Sequence, residues 1–340
     1  MAVWIYLICA RGQFWQARVR DTVIPPQPDR WPAVAVVVPA RNEADVVAAS
    51  LQSLLRQDYA GQLSITVVDD DSNDGTADAA IRAGEARSDR ALSVVTSGGP
   101  PAGWTGKLWA LKQGIAAAER SRPEYLLLTD ADIVHAPATL SWLVAHTMAE
   151  RNVLTSLMAK LRCDSLAERS HVPAFVYFFQ MLFPFSWVNQ AHSGKAAAAG
   201  GCMLVRADAL AQAGGVDSIR NALIDDCSLA AKLKAIGPIW LGLTDRVHSV
   251  RPYNTFADVR HMISRSAYAQ LRYSPLLLAG AAAGMTLTFL LPPLLAIFAT
   301  GWPQYLGAAA WLAMASSFLP TQRFYGLSLL WSPALPAIAF

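Results

Sequence analysis

Four clusters of acidic and polar residues carry the chemistry this sequence offers, and each directly follows an apolar run. In Asp130-Ala131-Asp132 two carboxylates stand one residue apart. Side chains so spaced can point the same way and share one divalent ion, and hard oxygen ligands suit Mg²⁺ or Mn²⁺ bridging diphosphate oxygens. Upstream lies the run Asp69-Asp70-Asp71-Ser72-Asn73-Asp74-Gly75-Thr76. Consecutive carboxylates repel one another and need a cation or hydrogen-bond donors to stay ionised. Asp69 and Asp70 are the expected ligand contacts, whereas Asp71 and Asp74 suit a turn, and Asp74-Gly75-Thr76 reads as turn plus helix cap. In Pro39-Ala40-Arg41-Asn42-Glu43, backbone amides and Glu43 suit a nucleotide's ribose or base. The same segment reads equally well as a helix N-terminus capped by Asn42. Asp225-Asp226 opens the periodic run Cys227–Leu233. Acids favour a helix start in any case. As chemistry, Asp226 is a general base for an attacking hydroxyl, with metal and basic groups stabilising a departing diphosphate.

Two further features support these. Trp104-Thr105-Gly106-Lys107 puts a flexible glycine and a lysine at a helix start, a phosphate contact. Gly200, Gly201 and Cys202 allow close backbone approach before a short strand, as an acceptor-side wall would need. His192 and Lys195 lie nearby, but lone residues of this kind usually belong to surface or core.

The elements that must position these groups alternate. Ala33–Pro39, Ser64–Asp69, Ala91–Thr96 and Tyr125–Thr129 read as buried strands, and Ala44–Leu55, Thr76–Arg87 and Lys107–Glu119 as helices. That order implies an α/β fold with a mostly parallel sheet flanked by helices and ligands at the carboxyl ends of its strands.

Hydrophobic residues make up 54% and charged residues 16%, too apolar for a wholly soluble protein. The excess is concentrated between Arg272 and Arg323, where no Asp, Glu, Lys or Arg occurs. Leu276–Thr300 is long enough to span a bilayer, with a kink expected at Pro292-Pro293; Tyr305–Leu319 is a second, shorter span, and Leu327–Phe340 begins a third apolar stretch. The expected division is a truncated N-terminal membrane helix at 1–12, a catalytic domain at 30–250, a basic juxtamembrane segment at 251–274 and transmembrane helices at 275–340, truncated at the C-terminus. Arg246, Arg251, Arg260, Arg265 and Arg272 form a positive-inside flank, one of them available to a phosphate. Pro173–Val188 is aromatic and nearly uncharged, which fits core packing or a membrane-interface segment. A net charge of +3 with scattered basic residues argues against nucleic acid. The four cysteines form no CxxC pair and read as reduced thiols.

Taken in order, VVVPARNEA, VVDDDSNDGT, TGKLWAL, LLTDADI, GGCMLVRADAL and IDDCSLAAKLKAIG resemble glycosyltransferase family 2, the inverting GT-A type. The resemblance implies a nucleotide-diphosphate sugar donor held by Pro39, Arg41, Glu43, Asp69, Asp70, Lys107, Asp130 and Arg265. It implies Asp130 and Asp132 on Mg²⁺ or Mn²⁺, Asp226 as base beside Asp225, and Gly200, Gly201 and Cys202 on the acceptor side. A narrower resemblance, carried by GKLWALKQG, IWLGLTDRVHSVRPY, ISRSAYAQLRYSPLLL and the proline-containing tail, is to the hopene-associated glycosyltransferases of bacterial hopanoid gene sets. It implies a multi-pass inner-membrane enzyme, its catalytic domain cytoplasmic, with a hopanoid or other polyprenoid lipid acceptor. Ceramide-type or polyprenyl-phosphate transfer, or a degenerate lipid-binding protein on the same fold, are the alternatives. The chain departs from the family pattern at Asp71, where Gly is usual, and at Asp225, where Glu is usual. Met262, Arg265 and Ser266 stand where the QxxRW motif of processive relatives would be, which favours single-sugar transfer. No GxGxxG follows the first strand, which disfavours a Rossmann dehydrogenase.

Overall fold

Val34–Ala40 is a run of small and β-branched residues, and it forms β1 inside an eight-stranded sheet. The computed structural model of the protein describes residues 1–85 and 90–339, apart from the side chains of Arg265 and Ser266. The chain folds as two units, Val19–Leu161 with Val188–Arg251, and Met1–Arg18 with Arg162–Trp187 and Pro252–Phe340.

The first unit holds the sheet. Its strands are β1, β2 (Leu63–Asp69), β3 (Ala91–Thr96), β4 (Tyr125–Thr129), β5 (Ile133–His135), β6 (Leu154–Lys160), β7 (Cys202–Arg206) and β8 (Ile239–Ser249), in the order β3-β2-β1-β4-β7-β6-β8-β5. β1 runs parallel to β2 and β4, β2 to β3 and β6 to β8, whereas β7 is antiparallel to β4 and β6, and β5 to β8. The parallel half matches the sequence reading. Ala40 pairs with Asp69 and Asp69 with Thr96, so the acidic ends of neighbouring strands share one edge of the sheet.

Both faces of β1 are covered, as a continuous apolar strand requires. Val34, Val36 and Val38 join one buried cluster with Leu51 and Leu54 of the helix Val47–Leu55. Val37 points the other way, toward Gly114 of the helix Gly106–Ala118. A Cβ on Gly114 would lie 2.4 Å from Val37 Cγ1 and 2.7 Å from Val68 Cγ2. In an open helix Ala is favoured over Gly by about 1 kcal/mol. Here overpacking of about 1–3 kcal/mol opposes that gain. Gly114→Ala should therefore lower the urea midpoint followed by tryptophan fluorescence; an unchanged or higher midpoint would show that the two valines yield.

The first helix begins at Val47 rather than Ala44; before it Val46 N bonds Glu43 O in a tighter turn, and side chains after β2 take the amides of residues 42–44. The helix read as Thr76–Arg87 is formed over Thr76–Glu85, and Arg87 lies outside the described residues.

The second unit is helical. Leu166–Leu182 carries the aromatic run and buries Tyr177 against Phe14, Phe178 and Phe318, so these rings pack as core within this unit. The short helix Ala2–Cys9 places Trp4 edge-on to Phe289. Pro275–Phe298 is the one helix among the described residues long and apolar enough to cross a membrane, and only 17% of its most apolar window is buried. It contains a π-helical turn at Thr286–Leu290, just before the two prolines. Pro292 has no N–H for the carbonyl of Thr288, and the Trp4 indole donates to that carbonyl instead, at 2.9 Å. The expected second span lies in Trp302–Phe324, which has the length but not the hydropathy: Gln304, Ser316, Ser317, Thr321, Gln322 and Arg323 interrupt it. Leu329–Ala334 and Leu335–Ile338 are too short. More than one pass is thus unsupported among the described residues.

Candidate active site

The loops after β1 and β2 are joined backbone to side chain. Asn42 N donates to Ser72 Oγ (3.0 Å), Glu43 N to Thr76 Oγ1 (2.7 Å) and Ala44 N to Asp74 Oδ2 (3.0 Å), while Asn73 N donates to Asn42 Oδ1 (3.1 Å). Asn42 and Asp71 both take positive φ, 54° and 58°, to make these turns. Asp74 also accepts from the amide and hydroxyl of Thr76, and that hydroxyl, followed by the Ala44 amide, holds its pKa below the usual carboxylate range.

Two buried carboxylates stand beside this junction. Asp70 accepts from Ser97 Oγ at 2.7 Å and pairs with Arg41 at 3.4 Å. Gly106 is needed at the adjoining helix start, because a Cβ there would lie 2.5 Å from Asp70 Oδ2. Asp69 accepts from Ser72 N through Oδ2, whereas its buried Oδ1 has no partner. An acceptor left so is costly unless a ligand supplies a donor.

Two cations organise the remaining acids. Thr105 caps the helix Gly106–Ala118 and so sets the first-turn position of Lys107. Lys107 Nζ lies 2.8 Å from Asp130 Oδ1 and 3.4 Å from Asp225 Oδ2. Burial opposes the lysine's charge, but Asp130 and Asp225 outweigh it and push its pKa up. Asp226 sits in the first turn of the helix Asp225–Lys234, where Oδ2 accepts from Gly200 N at 2.9 Å and Oδ1 from Cys227 N at 2.7 Å. Burial, and then the charge of Asp225, push the Asp226 carboxyl up to about 6, while Lys107 pulls it down.

The second cation is Arg251. It bonds Glu43 Oε1 through Nη2 and lies 3.3 Å from Asp132 Oδ2 through Nε. Ser249 Oγ donates to the same Asp132 oxygen at 2.6 Å. Burial raises the Glu43 pKa, and Arg251 works against it. The pairing of β5 with β8 brings these groups together, since Ile133 sits opposite Ser249.

Lys107, Asp130, Gly200, Asp225 and Asp226 line the polar end of a cleft, with Pro39 and Thr129 also at its wall. Its apolar sides are Leu108, Leu111, Met203, Val216, Ile219 and Leu229. Five carboxylates (Glu43, Asp130, Asp132, Asp225 and Asp226) thus share Lys107 and Arg251. Such an excess of acid suits a divalent cation. No group of three or more His, Cys, Asp or Glu side chains is clustered for a metal among the described residues. Asp130 and Asp132 nevertheless present hard oxygens that a diphosphate could complete into a cation site.

Of the residues singled out from sequence, Pro39, Lys107, Asp130, Gly200, Asp225 and Asp226 share the cleft, with Glu43 and Asp132 linked through Arg251. Arg41, Asp69 and Asp70 gather at the ends of β1 and β2. Cys202 departs from the reading: its side chain is packed in the sheet core and burial pushes its thiol up to about 12. Gly201 faces the side chain of Ile133. Only Gly200 of that trio borders the cleft. The Arg265 side chain lies outside the described residues. Ser97 and Ser249, which bond Asp70 and Asp132, carry no signal in the sequence. Arg251 was legible only as one of several arginines before the apolar tail, although it follows a strand as the acids do.

The model of the family described as "Glycosyltransferase like family 2" matches residues 32–260. An N-acetylglucosaminyltransferase of Rhizobium leguminosarum bv. viciae is 35% identical over 138 residues, 40% of this chain and 30% of the relative. One from Mesorhizobium japonicum is 34% identical over 118 residues, 34% of this chain and 26% of the relative. The matched segments thus span less than a third of either relative. Among solved structures, the mannosyltransferase of Pyrobaculum calidifontis in complex with GDP-Man and Mn²⁺ aligns with a TM-score of 0.55 at 23% identity, covering 99% of this chain and 96% of that one.

Proposed function

The chain belongs to glycosyltransferase family 2, with the GT-A fold, and from that premise we propose that it transfers one sugar, with inversion, from a nucleotide-diphosphate sugar to the hydroxyl of a membrane lipid. The observation that carries the catalytic part is the placement of Asp226. Its carboxylate is fixed by two backbone amides, borders the cleft, and has a pKa near that of a working base.

Asp226 takes the acceptor's hydroxyl proton. The acceptor oxygen forms a bond to the anomeric carbon as the bond from that carbon to the diphosphate breaks on the opposite face, which inverts the centre. The nucleoside diphosphate leaves with the electron pair. Lys107, freed from Asp130 and Asp225, offers its ammonium to the developing phosphate charge. Asp69 and Asp70 suit the nucleotide, the unpartnered oxygen of Asp69 accepting a donor from its base or ribose. Asp130 and Asp132 would hold Mg²⁺ or Mn²⁺ against the diphosphate, where the ion would neutralise the leaving group.

The lipid acceptor rests on the exposed apolar helix Pro275–Phe298. Arginines at 251, 260, 265 and 272 precede it, which favours a cytoplasmic catalytic domain, the compartment of nucleotide sugars. The narrower sequence resemblance points to a hopanoid or other polyprenoid alcohol.

The test is transfer by the full chain in detergent from UDP-, GDP- and dTDP-sugars, offered a hopanoid alcohol, a polyprenyl phosphate and ceramide separately. One donor should yield a glycolipid with inverted anomeric configuration, seen by NMR, and the polyprenoid alcohol should be preferred. A retained configuration would overturn the role of Asp226, and exclusive use of ceramide would overturn the acceptor.

A further inference from the structure

Asp132 is the acid of the DxD pair with the least freedom to receive a cation. Its Oδ2 accepts from the Ser249 hydroxyl at 2.6 Å and lies 3.3 Å from Arg251 Nε, so this oxygen is already paired with a cation. The side chain is nearly closed to solvent, 11% exposed. The same guanidinium is anchored at its other end by Glu43. A divalent ion approaching Asp132 would meet a positive charge within a few ångströms, and at such range like charges repel in a partly buried site.

A diphosphate changes that balance. The planar guanidinium matches phosphate oxygens two at a time, and phosphate competes well for a fork that here is divided between two separate carboxylates. Drawn onto the donor, Arg251 would uncover Asp132 and bring its charge to the leaving group.

We propose that Arg251 is a resident counter-ion that keeps Asp132 closed to divalent metal until a nucleoside diphosphate draws the guanidinium away, so that metal and donor are bound together. The inference rests on Asp132 as a metal-binding residue and goes beyond it: the arginine opposes metal in the free protein and favours it in the complex.

The test is a titration of the full chain in detergent with MnCl₂ alone, reading free Mn²⁺ by electron paramagnetic resonance, then again with saturating UDP or GDP. The wild type should bind Mn²⁺ weakly alone and about tenfold or more tightly with the nucleotide. Arg251→Ala should bind Mn²⁺ alone about tenfold more tightly than the wild type, a change of the size that removing one nearby charge produces, and should gain less from nucleotide. Arg251→Gln, which removes the charge but keeps a hydrogen-bond donor, should also bind Mn²⁺ alone more tightly than the wild type and serves if the alanine variant does not fold. Arg251→Ala or Arg251→Gln binding Mn²⁺ alone no better than wild type would overturn the proposal. Asp132→Asn separates the two levels. If it loses Mn²⁺ while the arginine variants gain nothing, the counter-ion role alone fails. If it binds Mn²⁺ as the wild type does, Asp132 is not a metal-binding residue and both fail.

Discussion

Asp226→Asn should reduce kcat by about two to four orders of magnitude, the usual contribution of a positioned general base, while leaving the protein as stable as before. The amide keeps an acceptor oxygen for one of the two backbone donors at Gly200 and Cys227 and turns an NH2 to the other, a bonding loss of about 1–3 kcal/mol. The electrostatics run the other way. In the folded chain burial raises the Asp226 carboxyl from the ordinary carboxylate range to about 6. A carboxyl raised on folding contributes stability that is fully present below its unfolded pKa and is lost as pH rises through the folded one. At pH 7 the wild-type carboxyl is ionised against its burial, whereas the neutral asparagine is spared that cost, which offsets the lost bond. Unfolding midpoints at pH 7 should therefore be close for the two proteins. The pH profile distinguishes them further: kcat/KM of the wild type should fall as pH drops through about 6, and the residual activity of the variant should lack that limb. A variant that retained the limb would place the base elsewhere.

Lys107→Met should lower kcat/KM by about 10²–10³, comparable to removing one donor from a preorganised anion site. It should also move the acid limb upward. The Lys107 charge lowers the Asp226 pKa, so its removal raises it, and the base stays protonated to higher pH. The same change leaves Asp130, Asp225 and Asp226 without their shared cation. Lys107 is about two-fifths exposed, so solvent screens part of the loss, and a destabilisation of about 1–2 kcal/mol at pH 7–8 is expected. That deficit should shrink as pH falls and Asp226 takes up its proton. Lys107→Arg, which keeps the charge, should restore stability more fully than activity. An unshifted acid limb in Lys107→Met would mean that the lysine and Asp226 do not sense one another.

The sequence made one half of the sheet legible and left the other obscure. β1, β2, β3 and β4 announce themselves as apolar runs bounded by turn residues, and their parallel direction follows from the helices between them, but not the place of β4 beside β1. β5 is three residues long, and it exists because β8 pairs with it from more than a hundred positions downstream. No local pattern encodes such a partner. The site divides in the same way. Acids at the ends of β1, β2 and β4 stand out because charge follows hydrophobicity abruptly. Ser97, Ser249 and Arg251 are ordinary residues until the strand register brings them to those acids. The start of the first helix differs for a related reason: Ala44 has good helix propensity, but it lies in a tighter turn that Asp74 of the neighbouring loop ties down. In the membrane portion, absence of charge overstated the case for Trp302–Phe324, because hydropathy also counts the uncharged polar residues that helix contains.

The stitched loops after β1 and β2 have a consequence for the way a donor would be recognised. Four side chain–backbone bonds hold them before any ligand arrives, so the conformational entropy of these residues is already lost on folding and is not charged to binding. The amides of Asn42, Glu43, Ala44 and Asn73 should therefore exchange with deuterium as slowly as those of the neighbouring strands, although they lie in turns at the protein surface. Nucleotide should leave their exchange almost unchanged.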